Sequence, residues 1–90
     1  MQHVKIQLSG NFKQSGFGFS CLQKAWHNNI TGQFTYLQHD AVEIHASGSD
    51  DSILDFYTWC LNQKETRNGE MASIHLKRIK YTEFEIINQL

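Results

Sequence analysis

The stretch Ser9-Gly10-Asn11-Phe12-Lys13-Gln14-Ser15-Gly16-Phe17-Gly18-Phe19 has the composition of a loop that receives an anion. An alternating strand precedes it and an amphipathic helix follows. Glycines at 10, 16 and 18 let backbone N–H groups converge, and the helix start adds its positive end. The chemistry open to such a loop is to hold a phosphoryl or carboxylate group. It lacks the usual counter-charge, because no arginine occurs between Met1 and Thr66. Lys13 is the one cation inside the loop. It could lend a point charge to a phosphate, or be an ordinary solvated lysine.

Other reactive side chains form weaker patterns. Cys21 and Cys60 are the only cysteines, far apart in the chain. They read as reduced, buried thiols, although Cys21 in the first turn of a helix could have a lowered pKa. His3, His45 and His75 fall on the solvated face of a sheet. An antiparallel pairing would set His3 opposite His45 and Lys5 opposite Glu43. Two imidazoles without a carboxylate between them make a poor zinc site, so no metal is expected. His27 and His39 read as helix-end and turn residues.

The elements that must position the loop follow from periodicity. Strand Val4–Leu8 alternates, with Val4, Ile6 and Leu8 inward. A helix from about Phe19 to Asn28 buries Leu22, Ala25 and Trp26 with Cys21 beside them. It ends at Asn29, a residue that accepts the left-handed conformation. Strand Gln33–Leu37 leads through Gln38-His39-Asp40 into strand Ala41–Ala46, which faces Glu43 and His45 outward. Ser49 caps a second helix, with Asp50 and Asp51 in its first turn. Ile53, Phe56, Tyr57, Cys60 and Leu61 form its apolar stripe, and Trp59 falls off it. A polar connection, Lys64 to Glu70, precedes strands Met71–Arg78 and Tyr81–Ile87. In these last strands Ile74, Leu76, Phe84 and Ile86 point inward.

This order is β-α-β-β-α-β with an extra terminal strand. Two short helices cover only one sheet face, which is the ferredoxin-like α+β plan of a mostly antiparallel sheet. The first two strands then run the same way, so the glycine loop should meet the end of the second strand near Tyr36. Ninety residues without proline, linker or repeat make one domain spanning residues 1–90. A formal net charge of -1 sets no field for nucleic acid. The outward positions Lys5, Gln7, Glu43 and His45 carry no aromatic ring on which bases could stack. No apolar run reaches membrane-spanning length, and Met1-Gln2-His3-Val4-Lys5 lacks a signal-peptide core. A cytoplasmic setting is expected, with no membrane or nucleic-acid partner; no protein partner is legible.

With these residues in place, the chain resembles the acylphosphatase family. That family's signature reads S-G-x-V-Q-G-V-G-F-R-Y-F, followed by a helix and a G-W-V-x-N strand. Ser9, Gly10, Gly16 and Phe17 align with it without a gap. Ala25, Thr31-Gly32, Val42-Glu43, Gly48, Ile53, Phe56, Trp59 and the stretch Tyr81 to Ile86 extend the match. The resemblance implies hydrolysis of carboxyl-phosphate anhydrides without metal or cofactor. It also implies a phosphate held by loop N–H groups and one arginine, and a water positioned by one asparagine.

Both chemical positions depart from the pattern. Gly18 stands where the arginine belongs and Tyr36 where the asparagine belongs, while Gln14 replaces one signature glycine. No neutral group reproduces a guanidinium's charge and forked geometry. Losing one preorganised contact of this kind costs about a hundredfold in rate or more. The expectation is an acylphosphatase-like protein with hydrolysis lost or strongly reduced. Lys13, Gln14, Ser15, Gly16, Phe17, Gly18 and Phe19 would remain as an anion loop for phosphate or a small acyl phosphate. The alternatives are an active hydrolase with a remodelled site using Lys13, and a protein-interaction module.

Overall fold

The computed structural model describes residues 2–12, 16–38, 40–74 and 83–87. Its elements are β1 (Gln2–Gly10), α1 (Phe17–His27), β2 (Thr31–Leu37), β3 (Ala41–Gly48), α2 (Asp50–Leu61), β4 (Thr66–Ser73) and β5 (Phe84–Ile87). They form one five-stranded sheet in the order β4-β1-β3-β2-β5. β1, β3, β4 and β2 pair antiparallel, and β5 runs parallel to β2. The ferredoxin-like α+β plan is therefore present, with β5 added at the edge.

Alternation decides which sheet face is covered. Val4, Ile6, Leu8, Phe34, Val42, Ile44 and Ala46 are buried beneath the helices. Lys5, Gln7, Glu43 and His45 lie on the opposite face. There Glu43 accepts hydrogen bonds from Gln7 Nε2 at 3.1 Å and pairs with His45 at 3.3 Å. The β1–β3 register differs from expectation by two residues: His3 lies opposite Ser47, Lys5 opposite His45 and Gln7 opposite Glu43. A two-residue slip leaves every inward side chain inward, so hydrophobic alternation alone does not choose between these registers. His3 is bonded through Nδ1 to Ser47 Oγ at 2.6 Å. His75 lies outside the described residues.

α1 begins two residues earlier than its periodicity suggested, and its buried face also differs from expectation. Phe17, Gly18, Cys21 and Ala25 point into the core, Leu22 is half-buried, and Trp26 is 59% exposed rather than buried. The helix does stop at Asn29, whose φ of 57° is left-handed. In α2, Ile53, Phe56 and Cys60 are buried, Tyr57 is half-buried and Leu61 is exposed. Ser49 caps this helix, accepting from the Ser52 N–H at 3.2 Å. Asp55 ties the helices together through Lys24 at 3.2 Å and Asn28 Nδ2 at 2.7 Å.

β4 starts at Thr66, where a polar connection was expected, and ends at Ser73, before the expected Met71–Arg78 span is half complete. The dipeptide Asn68-Gly69 is strand rather than turn. Gly69 is needed for packing, because a Cβ there would sit 2.6 Å from Leu61 and 2.7 Å from Leu8. Ile74 follows the strand and is half-buried, and the expected inward Leu76 lies outside the described residues. The C-terminal strand covers Phe84–Ile87, with Phe84 buried and Ile86 half-buried; Tyr81 and Thr82 of the expected span lie outside the described residues.

Two measurements check this architecture. Gly32 has φ +151°, and a Cβ there would collide with the His45 carbonyl of the neighbouring strand. Gly32→Ala should therefore cost about 2–4 kcal/mol in urea unfolding. The hydrogen bond from Asn28, then the Lys24 ammonium, holds the Asp55 carboxyl below its usual range. A depressed carboxylate stabilises the fold above its unfolded pKa and loses that contribution as pH falls through the folded value. Asp55→Asn should lower stability slightly at neutral pH, leave it nearly unchanged well below about pH 4, and so flatten the acid limb between the two.

Candidate functional site

The end of β1, the start of α1 and the end of β2 meet at one edge of the sheet. Gly16 is the residue before α1 and is left-handed, with φ 74° and ψ 13°, a conformation that suits glycine. Its carbonyl accepts the first helical hydrogen bond, from the Ser20 N–H at 3.1 Å. No side chain caps this helix, and its first turn holds no carboxylate. The positive end of α1 is therefore left for another acceptor.

That acceptor is Tyr36. Its hydroxyl oxygen takes a hydrogen bond from the Gly18 N–H at 3.1 Å. The ring is braced edge-on against Phe34 at 4.9 Å between centroids, and Phe34 is fully buried. The fit is close: a Cβ at position 18 would lie 2.7 Å from the Tyr36 hydroxyl and 3.2 Å from the Phe34 ring. Gly18 and Tyr36 thus form one physical unit, in which the phenol occupies the space a side chain at 18 would need. Sequence alignment marked both positions but not their contact.

Phe17 belongs to the core rather than to a ligand. It is 1% exposed and packs on Phe12 at 4.6 Å, on Phe34 at 5.9 Å and on Trp59 at 6.1 Å. Trp59 also stacks on Phe56 at 6.4 Å. It is therefore half-buried against the core, with Phe17 of α1 on one side. Phe19 projects outward, 59% exposed. Lys13, Gln14 and Ser15 lie outside the described residues. Cys21 is fully buried beside Cys60, both thiols are free, and burial followed by the Cys60 hydrogen bond pushes the Cys21 thiol far upward. That overturns the reading of Cys21 as a reactive thiol. No group of three or more potential metal ligands occurs among the described residues.

Arg67 lines a polar basin with Ser9, Gly10, Asn11, Asp40 and Asn68. Neither Gly18 nor Tyr36 contributes to that basin. No described helix is long and apolar enough to cross a membrane.

The architecture and this loop-helix edge define a ferredoxin-like α+β domain of a recognisable kind. The sequence model of the acylphosphatase family matches residues 4–86. The chain belongs to the acylphosphatase family. It is similar to the crystal structure of an acylphosphatase from Bacillus subtilis, at 19% identity and TM-score 0.87, over 97% of this chain and 99% of that one. An acylphosphatase from Coxiella burnetii is 26% identical with TM-score 0.86, over 96% of this chain and 92% of that one. Full-length HypF, in a phosphate- and nucleotide-bound form, is 18% identical with TM-score 0.83, over 96% of this chain and 12% of that one. No curated protein sequence matches the chain.

The Gly18–Tyr36 unit predicts a non-additive double-mutant cycle. Gly18→Ala should destabilise the wild type by about 1–3 kcal/mol through overpacking. In a Tyr36→Ala background the same change should cost well under half as much, because the opposing ring is gone. Equal costs in both backgrounds, by urea unfolding, would refute the contact.

Proposed function

We propose that this member of the acylphosphatase family has lost, or nearly lost, hydrolysis of acyl phosphates. The loop at residues 13–19 is then left as a weak receptor for phosphate or a small acyl phosphate. The observation that carries the reading is the hydrogen bond from the Gly18 N–H to Tyr36. The resemblance implies that hydrolysis needs a guanidinium at position 18 and an amide at position 36. Here the first position has no side chain, and the second carries a phenol that consumes one of the N–H donors of the helix start. A neutral oxygen has taken the place suited to an oxyanion.

Physical magnitudes support the same conclusion. Phosphoryl transfer relies on neutralising charge and placing a nucleophile in line, so the protein contributes mainly position and electrostatics. Lys13 can add a point charge but not a bidentate fork. A hydrogen bond to a phenol contributes about 1 kcal/mol net, so an anion offering a charge-assisted bond can compete for the Gly18 N–H. Anion binding should therefore be weak rather than abolished. We place the protein in the cytoplasm, with no cofactor.

Benzoyl phosphate hydrolysis tests the proposal. The wild type should show little turnover above the uncatalysed rate. The Gly18→Arg, Tyr36→Asn double variant should gain about a hundredfold or more. Gly18→Arg alone should not, because Tyr36 blocks its side chain. Wild-type turnover at the level of an active acylphosphatase would overturn the proposal. Phosphate titration followed by amide NMR gives a separate readout: the Gly18 amide should shift further, and at lower phosphate, in Tyr36→Phe than in the wild type.

A further inference from the structure

We propose that the basin between Asp40 and Arg67 is a binding site for a small zwitterion of the amino-acid class. The basin has a volume of about 520 Å³ and is lined by Ser9, Gly10, Asn11, Asp40, Arg67 and Asn68. Its lining residues include one arginine and one aspartate. Neither forms an ion pair, with the other or with any other described residue. Two residues of opposite charge thus line one concavity without pairing.

The backbone holds them apart. β1 and β4 pair Ser9 with Asn68 but Gly10 with Thr66, so Arg67 is an extra residue in a β-bulge. Bulges interrupt strand pairing, and this one places Arg67, the only described arginine, at the basin. Gly10 is fixed there because a Cβ would collide with the Glu65 carbonyl. On one side the Gly10 N–H donates to the Asp40 carbonyl at 2.9 Å. On the other, the Asn11 N–H donates to the Glu65 carbonyl at 2.8 Å. Asp40 itself is held left-handed, φ 57°, in the turn between β2 and β3. The Asp40 turn is therefore tied to Gly10 of β1, and Glu65, two residues before Arg67, to Asn11 just after β1.

Charge selects the ligand class. A carboxylate can pair bidentately with Arg67, but a plain anion meets repulsion from Asp40. A plain cation meets the reverse. A molecule carrying an ammonium and a carboxylate satisfies both rims, while the Asn11 and Asn68 amides and the Ser9 hydroxyl supply neutral donors and acceptors. This site is independent of the Gly18–Tyr36 unit and does not rest on the proposed loss of hydrolysis.

Amide NMR titration of the full chain tests it, using glycine, β-alanine and γ-aminobutyrate, with acetate and methylammonium as single-charge controls. At least one zwitterion should shift the Ser9, Gly10, Asn11, Arg67 and Asn68 amides, with a Kd of about 1 mM or below. Acetate and methylammonium should shift them far less. Arg67→Gln and Asp40→Asn should each weaken binding about tenfold or more. Asn at position 40 tolerates the left-handed backbone, so the fold should persist, as the remaining amide spectrum will show. The proposal is overturned if no zwitterion shifts these amides, if acetate does so equally, or if either variant binds as the wild type does.

Discussion

The hydrogen bond between the Gly18 amide and the Tyr36 hydroxyl governs how the loop edge of this protein is built. A helix start concentrates unsatisfied N–H groups, and something must meet them. Here a phenol from the end of β2 does so, braced by the buried ring of Phe34. A Cβ at position 18 would crowd the phenol oxygen and the Phe34 ring, so one of them would have to shift. The two positions are therefore coupled: glycine at 18 leaves the room that the tyrosine fills.

The loop is anchored by apolar packing on either side of this bond. Phe12 and Phe17 contact each other, and Phe17 continues to Phe34 and Trp59. Trp59 leads on to Phe56, and Phe56 to Phe84. One chain of rings therefore joins the loop, both helices and two strands. Aromatic pairs of this kind add about 0.5–1.5 kcal/mol each beyond their buried area. The two ends of the loop, at Phe12 and Phe17, are thus held by the core.

Two polar environments lie where β1 and β2 end. The α1 start is occupied by a neutral phenol. Beside the C-terminal end of β1, the bulge at Arg67 and the turn at Asp40 form a charged basin with different lining residues. The arginine absent from the loop has a counterpart elsewhere in the chain, but strand pairing fixes it at the basin.

The sequence by itself determined the element order, the inward faces of β1 and β3, the Ser49 cap and the stop at Asn29. These follow from short-range rules: alternation, capping and left-handed tolerance. It also singled out Gly18 and Tyr36 as departures from the family pattern. It misplaced Trp26, the bounds of β4 and the β1–β3 register, because a helix phase, a strand end and a two-residue slip are settled by partners. Asn68-Gly69 read as a turn because local propensity does not register that Leu8 and Leu61 need the space a side chain would fill. Only the tertiary structure decided that Tyr36 and Gly18 touch, and that Asp40 and Arg67 share a basin. Both are contacts between strands or between a strand and a helix, and their energies depend on distances that no local pattern encodes.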